Sequence, residues 1–105
     1  MIRVGIIGGA GYTAGELIRL LVNHPEAGFA FIHSESNAGR YVHEVHEGLY
    51  GDTDLKFCES FSLEDADVLF LCSGHGKSRE FWSRHARPAG LKVIDLAQDF
   101  RDEND

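Results

Sequence analysis

The sequence predicts an α/β domain with a mostly parallel sheet, because strand-like and helix-like runs alternate along it. The order is strand, helix, strand, long loop, strand, helix, strand. The strand-like runs are short, rich in β-branched residues and nearly uncharged, as expected of parallel strands buried on both faces. A glycine cluster, Gly8 to Gly11, separates the first strand from the first helix. Together these features indicate a Rossmann-like, doubly wound fold.

The first strand is predicted at Ile2 to Ile7, and the first helix from about Thr13 until His24-Pro25 stops it. Thr13 and Glu16 fit a capping box, in which each side chain accepts a hydrogen bond from a free amide at the helix start. A wide apolar stripe then predicts the buried face of this helix: Leu17, Leu20 and Leu21, with Ile18 and Val22 beside them.

The later elements are predicted from the same patterns. They are, in order, a strand at Phe29 to Ile32, a short helix near Val42 to His46, a short extra strand at Leu55 to Cys58, a single turn at Leu63 to Ala66, a strand at Val68 to Cys72, a helix from Lys77 to His85 or Arg87, and a strand at Val93 to Leu96. The segment from Ser34 to Asp54 lacks a convincing period. A loop of that length predicts a functional segment.

Length and composition narrow the class of protein. A chain of 105 residues is one domain at most, so residues 1–105 are predicted to form one nucleotide-binding domain. The net charge of −7 argues against a general nucleic-acid surface. The absence of a long apolar run argues against a signal peptide or membrane span and favours a cytoplasmic location. The very polar tail from Arg101 to Asp105 predicts that the chain has been cut within a larger protein, so that the domain is truncated.

No metal site is predicted. Cys58 and Cys72 do not lie in a Cys/His set with zinc spacing, and two buried thiols in a reducing compartment are expected instead. His43-x-x-His46-Glu47 could bring ligands together, but it lacks a third and a fourth partner.

The glycine cluster predicts a site for a pyrophosphate. Gly9-x-Gly11-x-x-Ala14 fits the dinucleotide-binding pattern, although alignments that use Gly8 or Gly5 fit as well. Free amides and the helix dipole at this helix start favour a bound anion. The alternative is a glycine-rich turn without a ligand.

The site is expected where the carboxyl ends of parallel strands meet. Three loops satisfy that condition, at Gly8 to Thr13, His33 to Arg40 and Ser73 to Gly76, and Ala97 to Arg101 is a fourth candidate.

The choice of cofactor is left open by the side chains. Glu35 lies 24 residues after Gly11, near the spacing of an acid that binds the 2′-hydroxyl of NAD. Ser34, Ser36, Asn37 and Arg40 instead offer hydroxyls, a flexible turn and a cation, the groups that the 2′-phosphate of NADP needs.

The chain resembles the amino-terminal part of N-acetyl-gamma-glutamyl-phosphate reductase along its whole length. The motifs that carry the resemblance are Gly8-Gly9-Ala10-Gly11-Tyr12-Thr13-Ala14-Gly15-Glu16-Leu17, Ser36-Asn37-Ala38-Gly39, Ala66 to Leu71 leading to His75-Gly76, and Val93-Ile94-Asp95-Leu96 with Asp99-Phe100-Arg101. The chain departs from the family pattern at Ser73-Gly74, where Leu-Pro is common, and at Ala97-Gln98, where Ser-Ala is common.

The resemblance implies an NADPH-dependent reductase of arginine biosynthesis, which converts N-acetyl-L-glutamyl 5-phosphate to the 5-semialdehyde and releases phosphate. The family's nucleophilic cysteine lies in an Asn-Pro-Gly-Cys segment, which this sequence lacks, so no catalytic residue is assigned and the acyl-phosphate substrate requires a further domain. A homo-oligomer is expected for the full-length enzyme. The residues expected to bind NADP(H) are Gly8, Gly9, Gly11, Tyr12, Thr13, Ala14, Ser34, Ser36, Arg40, Ser73, His75 and Gly76.

Three alternatives remain open. The chain could be a free-standing module that binds NADP(H) without performing chemistry. It could also be the NADP-binding domain of aspartate-semialdehyde dehydrogenase, which matches less well at the phosphate loop and at Asp99-Phe100-Arg101. A methyltransferase that binds S-adenosylmethionine is a weaker candidate, because a helix start directly after the glycines suits a pyrophosphate better.

Overall fold

The computed structural model describes residues 1–49, 53–73 and 77–96. The described strands are β1 (Ile2–Ile7), β2 (Ala27–His33), β3 (Val68–Leu71) and β4 (Lys92–Asp95). The described helices are α1 (Tyr12–Leu21), α2 (Val42–Val45) and α3 (Lys77–Arg84), with 3₁₀ turns at Glu47–Leu49 and Leu63–Asp65. His75, Gly76 and the predicted loop Ala97 to Arg101 lie outside the described residues.

The described strands form one parallel sheet in the order β2-β1-β3-β4. The chain moves outward from β1 to β2, then returns past β1 to β3 and β4. The connections that leave β1 and β2 therefore run in opposite directions, which opens a crevice at the carboxyl ends of β1 and β3. This confirms the predicted α/β, parallel-sheet architecture.

The second half of β1 is buried on both faces of the sheet, and its successive side chains alternate between two clusters. Val4 and Ile6 pack with Ile18 of α1 in one cluster. Ile7 packs in the other, against which Phe81 of α3 lies. The helices therefore cover opposite faces, as the apolar strand-like runs predicted.

The predicted capping box at the start of α1 is wrong. The helix begins at Tyr12, its N-cap is Gly11, and no side chain caps it. Thr13 therefore lies inside the first turn, where it cannot act as the cap. Glu16 instead forms an ion pair with Arg19 on the exposed face of α1.

The predicted strand at Leu55 to Cys58 is also wrong. Lys56 pairs with Tyr41 in the antiparallel direction, whereas Cys58 pairs with His33 in the parallel direction. Because the two bridges have different partners and opposite directions, they do not form a continuous ladder. The segment ties the long loop to the end of β2 instead.

The packing of α1 predicts that alanine substitutions at Ile18 and at Leu20 change the stability of the domain by very different amounts. Ile18 is fully buried, so Ile18→Ala should lower the free energy of unfolding by about 2–5 kcal/mol. The prediction that Leu20 lies on the buried face of this helix is wrong, because Leu20 is 69% exposed. Leu20→Ala should therefore change the free energy of unfolding by less than about 0.5 kcal/mol. Urea unfolding followed by circular dichroism measures both, and similar losses for the two variants would contradict this packing.

Candidate functional site

A groove of about 530 Å³ opens at the carboxyl ends of β1, β2 and β3. Its walls come from the ends of β1 and β2, the loops that follow the three strands and the first residue of α3: Ile7, Gly8, Ala10, Gly11, His33, Ser34, Glu35, Ser36, Cys72, Ser73 and Lys77. The structure therefore brings together the three loops that the sequence predicted to share an edge. Of the predicted site residues, Gly8, Gly11, Ser34, Ser36 and Ser73 line the groove.

Gly8 is required by the local backbone. Its φ of +82° is in the region that L side chains rarely adopt. A Cβ there would also lie 2.8 Å from the Cα atom of Ser73. The loops after β1 and β3 can therefore approach each other only if residue 8 has no side chain.

Gly11 has a different role. A Cβ at this position would meet only the Gly8 and Cys72 carbonyl oxygens, at 3.8 and 3.9 Å, which is ordinary contact. Its φ of −77° is available to any residue. The fold would therefore tolerate a side chain at position 11. Because glycine has none, the backbone surface of Gly11 is open to the groove.

The start of α1 presents donors beside Gly11. Among the described residues, no backbone carbonyl accepts a hydrogen bond from the amides of Tyr12, Thr13 or Ala14, and no side chain caps them. These amides and the positive end of the helix dipole favour an anion. The chemistry of this corner suits a phosphate group.

The serines after β2 are oriented by one amide group. The Asn37 Nδ2 group donates to the Ser34 Oγ atom at 3.3 Å and to the Ser36 Oγ atom at 3.4 Å. Because both hydroxyl oxygens act as acceptors here, their protons remain available for donation to a ligand. Ser34 lines the groove although it is only 6% exposed.

Arg40 does not line the groove. Its guanidinium donates to the Asn37 Oδ1 atom at 3.2 Å and pairs with the Glu44 carboxylate at 3.4 Å. It is thus linked to the serine hydroxyls through Asn37. Its predicted contact with a cofactor remains a prediction.

Sequence reasoning missed Lys77 as a site residue. Lys77 begins α3 and lines the groove, and its Nζ atom lies 3.9 Å from the Glu80 carboxylate. A lysine placed directly after the loop that follows β3 was the available signal. Lys77 and the exposed Glu35 therefore bring opposite charges to the same groove.

The remaining predicted site residues that the structure describes, like Arg40, lie outside the groove walls. Gly9 is buried, and its missing Cβ leaves room for the Ile32 side chain, which would otherwise lie 2.5 Å away. Ala14 is fully buried against the sheet, whereas Tyr12 is 82% exposed. Thr13 is half-buried in the first turn of α1.

The described thiols are held in the neutral form. Burial raises the pKa of the Cys72 thiol to about 11, and the Asp95 carboxylate adds to the rise. Burial also raises the pKa of the Cys58 thiol. Since the thiolate is the reactive form, neither cysteine is prepared for nucleophilic attack at neutral pH.

Two further features of the described residues bear on the class of protein. No group of three or more His, Cys, Asp or Glu side chains that could hold a metal ion occurs within the described ranges. No helix in this part of the chain is long and apolar enough to cross a membrane.

Curated relatives match the chain over nearly all of its length. It is 57% identical over 105 residues to N-acetyl-gamma-glutamyl-phosphate reductase from Bacteroides thetaiotaomicron, covering 100% of this chain and 33% of that protein. It is 46% identical over 101 residues to the protein of the same name from Flavobacterium johnsoniae, covering 96% of this chain and 31% of that protein. The chain thus spans about a third of the length of these relatives, and they confirm the resemblance noted in its motifs.

A solved structure and a family profile agree with the fold. Aspartate semialdehyde dehydrogenase with NADP from Candida albicans superposes with a TM-score of 0.70 at 22% identity, covering 98% of this chain and 31% of that one. The profile described as "Semialdehyde dehydrogenase, NAD binding domain" matches residues 3–105. The chain therefore belongs to the semialdehyde dehydrogenase NAD-binding domain family.

Proposed function

We propose that the groove binds NADPH and that the chain is the nucleotide-binding part of an N-acetyl-gamma-glutamyl-phosphate reductase. The observation that carries the proposal is the bare surface of Gly11 beside the free amides of Tyr12, Thr13 and Ala14. A pyrophosphate needs both a close backbone approach and unpaired donors. The names of the relatives at 57% and 46% identity support the assignment of the enzyme.

The groove offers separate contacts for the parts of the cofactor. The start of α1 would hold the pyrophosphate, and the Ser34 and Ser36 hydroxyls would donate to the 2′-phosphate. Lys77 in the groove wall and Arg40 behind Asn37 would supply positive charge. The Glu35 carboxylate acts against NADP binding, because it would repel the 2′-phosphate and would favour the 2′-hydroxyl of NAD.

The proposed reaction reduces N-acetyl-L-glutamyl 5-phosphate to N-acetyl-L-glutamate 5-semialdehyde with release of phosphate, a step of arginine biosynthesis. NADPH would supply the hydride. The described residues bind and orient the nucleotide, and the raised thiol pKa values leave them without an activated nucleophile. Cytoplasmic location, assembly into a homo-oligomer and cofactor contacts by Ser73, His75 and Gly76 remain predictions.

The first test concerns Gly11. Gly11→Asp should weaken NADPH binding by roughly 100-fold or more, because a carboxylate would crowd and repel the pyrophosphate. The fold should survive, since a Cβ at Gly11 makes only ordinary contacts. Fluorescence titration measures the affinity and thermal unfolding measures the stability.

Gly11→Asn is the matched control, because it has the same shape without the charge and separates crowding from repulsion. Gly8→Ala should instead lower stability, because of its backbone conformation. Equal NADPH affinity for Gly11→Asp and the parent chain would remove the assignment of the phosphate loop.

The second test concerns the choice of cofactor, for which NADP should bind more tightly than NAD. Arg40→Ala should weaken NADP binding about tenfold and leave NAD binding within about twofold, since it removes the positive charge that is linked through Asn37 to the two serines proposed to hold the 2′-phosphate. Lys56→Ala removes an equal charge outside the groove wall, over the Tyr41 ring, and should change neither affinity. NAD binding as tight as NADP binding, or an unchanged preference in Arg40→Ala, would count against this assignment.

The third test concerns catalysis by the 105-residue chain. It should form no NADPH from NADP, the semialdehyde and phosphate, because the thiols that it contains at Cys58 and Cys72 are protonated at neutral pH. The control is a chain extended through the next domain, which should be active. Turnover by the 105-residue chain that is lost in Cys72→Ser would show that the nucleophile had been assigned wrongly. An inactive extended chain that still binds NADPH would favour a non-catalytic module.

A further inference from the structure

Both backbone polar groups of Gly9 are hydrogen-bonded. Its amide donates to the His33 carbonyl at 2.8 Å, which ties it to the end of β2. Its carbonyl oxygen lies 2.8 Å from the His46 Nε2 atom, although the two residues are 37 positions apart. Because a carbonyl can only accept a hydrogen bond, the Nε2 atom of His46 carries the proton.

The position of the His46 ring is fixed by its backbone and by its neighbours. The His46 backbone amide donates to the Val42 carbonyl at 2.9 Å, and the flanking Val42 and Leu49 side chains are buried in the core. The ring meets Phe57 edge to face at 6.2 Å. The segment from α2 to the following 3₁₀ turn therefore anchors this ring beneath the glycine loop.

Gly15 of α1 leaves the space that the ring occupies. A Cβ at Gly15 would lie 2.5 Å from the His46 Nδ1 atom. Glycine in a helix interior is unfavourable relative to alanine. The contact with His46 gives a reason for a glycine at this position.

The hydrogen bond from His46 also sets the direction of the next amide. In a trans peptide the N–H group of one residue points away from the carbonyl of the residue before it, and the described residues include no cis peptide. With the Gly9 carbonyl turned to His46, the Ala10 N–H group points to the opposite side of the loop. Ala10 lines the groove, and no described backbone carbonyl accepts from its amide.

We propose that His46 is a positioning residue for the cofactor, which acts by holding the Gly9 carbonyl so that the Ala10 amide faces the pyrophosphate. This rests on the proposed function, since it assumes a dinucleotide in the groove. His46 itself lines no part of the groove wall among the described residues. Its effect should therefore be specific to ligands that contain a pyrophosphate.

The binding experiment compares two ligands on the 105-residue chain. His46→Ala should weaken NADPH binding about tenfold, because one amide donor to the pyrophosphate is no longer aligned. Binding of adenosine 2′-monophosphate, which lacks a pyrophosphate, should stay within about twofold in an NMR titration. His46→Gln, whose side-chain amide can still donate to the Gly9 carbonyl, should restore most of the NADPH affinity. His24→Ala, at the far end of α1, controls for loss of a histidine and should change neither affinity.

A second experiment tests the contact with Gly15. In the parent chain Gly15→Ala should lower the melting temperature and weaken NADPH binding, because the new methyl group displaces the His46 ring. In a chain that carries His46→Ala the same substitution should raise the melting temperature, since alanine favours the helix. This reversal of sign would not occur if Gly15 and His46 acted independently.

The outcomes separate the inference from the proposed function. If the parent chain does not bind NADPH, the proposed function fails and the inference fails with it. If the parent chain binds NADPH and His46→Ala binds it equally well, only the inference is overturned. Equal losses for both ligands, or no rescue by His46→Gln, would show a general structural role and would also overturn it.

Discussion

The close approach of the Gly8 backbone to the Ser73 backbone determines the shape of the groove. A side chain at Gly8 would lie within 2.9 Å of backbone atoms of both Cys72 and Ser73. Since Gly8 follows β1 and Ser73 follows β3, this contact brings two adjacent strand ends together. Gly11, the N-cap of α1, then lines the same groove as the loop after β2.

The glycines around this contact divide into two groups. Gly8, Gly9 and Gly15 are required by the protein itself, because a Cβ at each would lie closer than 3.0 Å to a neighbouring atom. Gly11 has no such neighbour. The fold itself therefore does not require a glycine at position 11, and its open surface lines the groove.

The sequence predicted the elements well where a pattern is local. β1 was predicted at its observed bounds, since an apolar β-branched run ends there at glycine. β4 begins one residue earlier than predicted because Lys92 pairs with Val68 of β3, and the register of a neighbouring strand cannot be deduced from a local run. The capping box predicted from Thr13 and Glu16 was wrong because the glycine cluster lies directly before it. The helix begins at Tyr12, with Gly11 as its N-cap.

The site was predictable only in outline. The rule that ligands bind at strand carboxyl ends located the three loops. The entry of Lys77 into the groove and the contact of His46 with Gly9 depend on how distant segments meet, which no local spacing encodes. The placement of Arg40 against Asn37 and Glu44 likewise depends on the path of the long loop.

The proposed binding of the NADPH pyrophosphate beside Gly11, at the start of α1, can be observed directly. A titration of the ¹⁵N-labelled chain with NADPH, followed by amide chemical shifts in NMR spectra, measures it. We expect the largest changes at the amides of Ala10, Gly11, Tyr12, Thr13 and Ala14, with smaller changes at Ser34 and Ser36. Saturable changes confined to another surface, such as the open edge of β2 at Phe29 to Phe31, would contradict it, as would no change at millimolar NADPH.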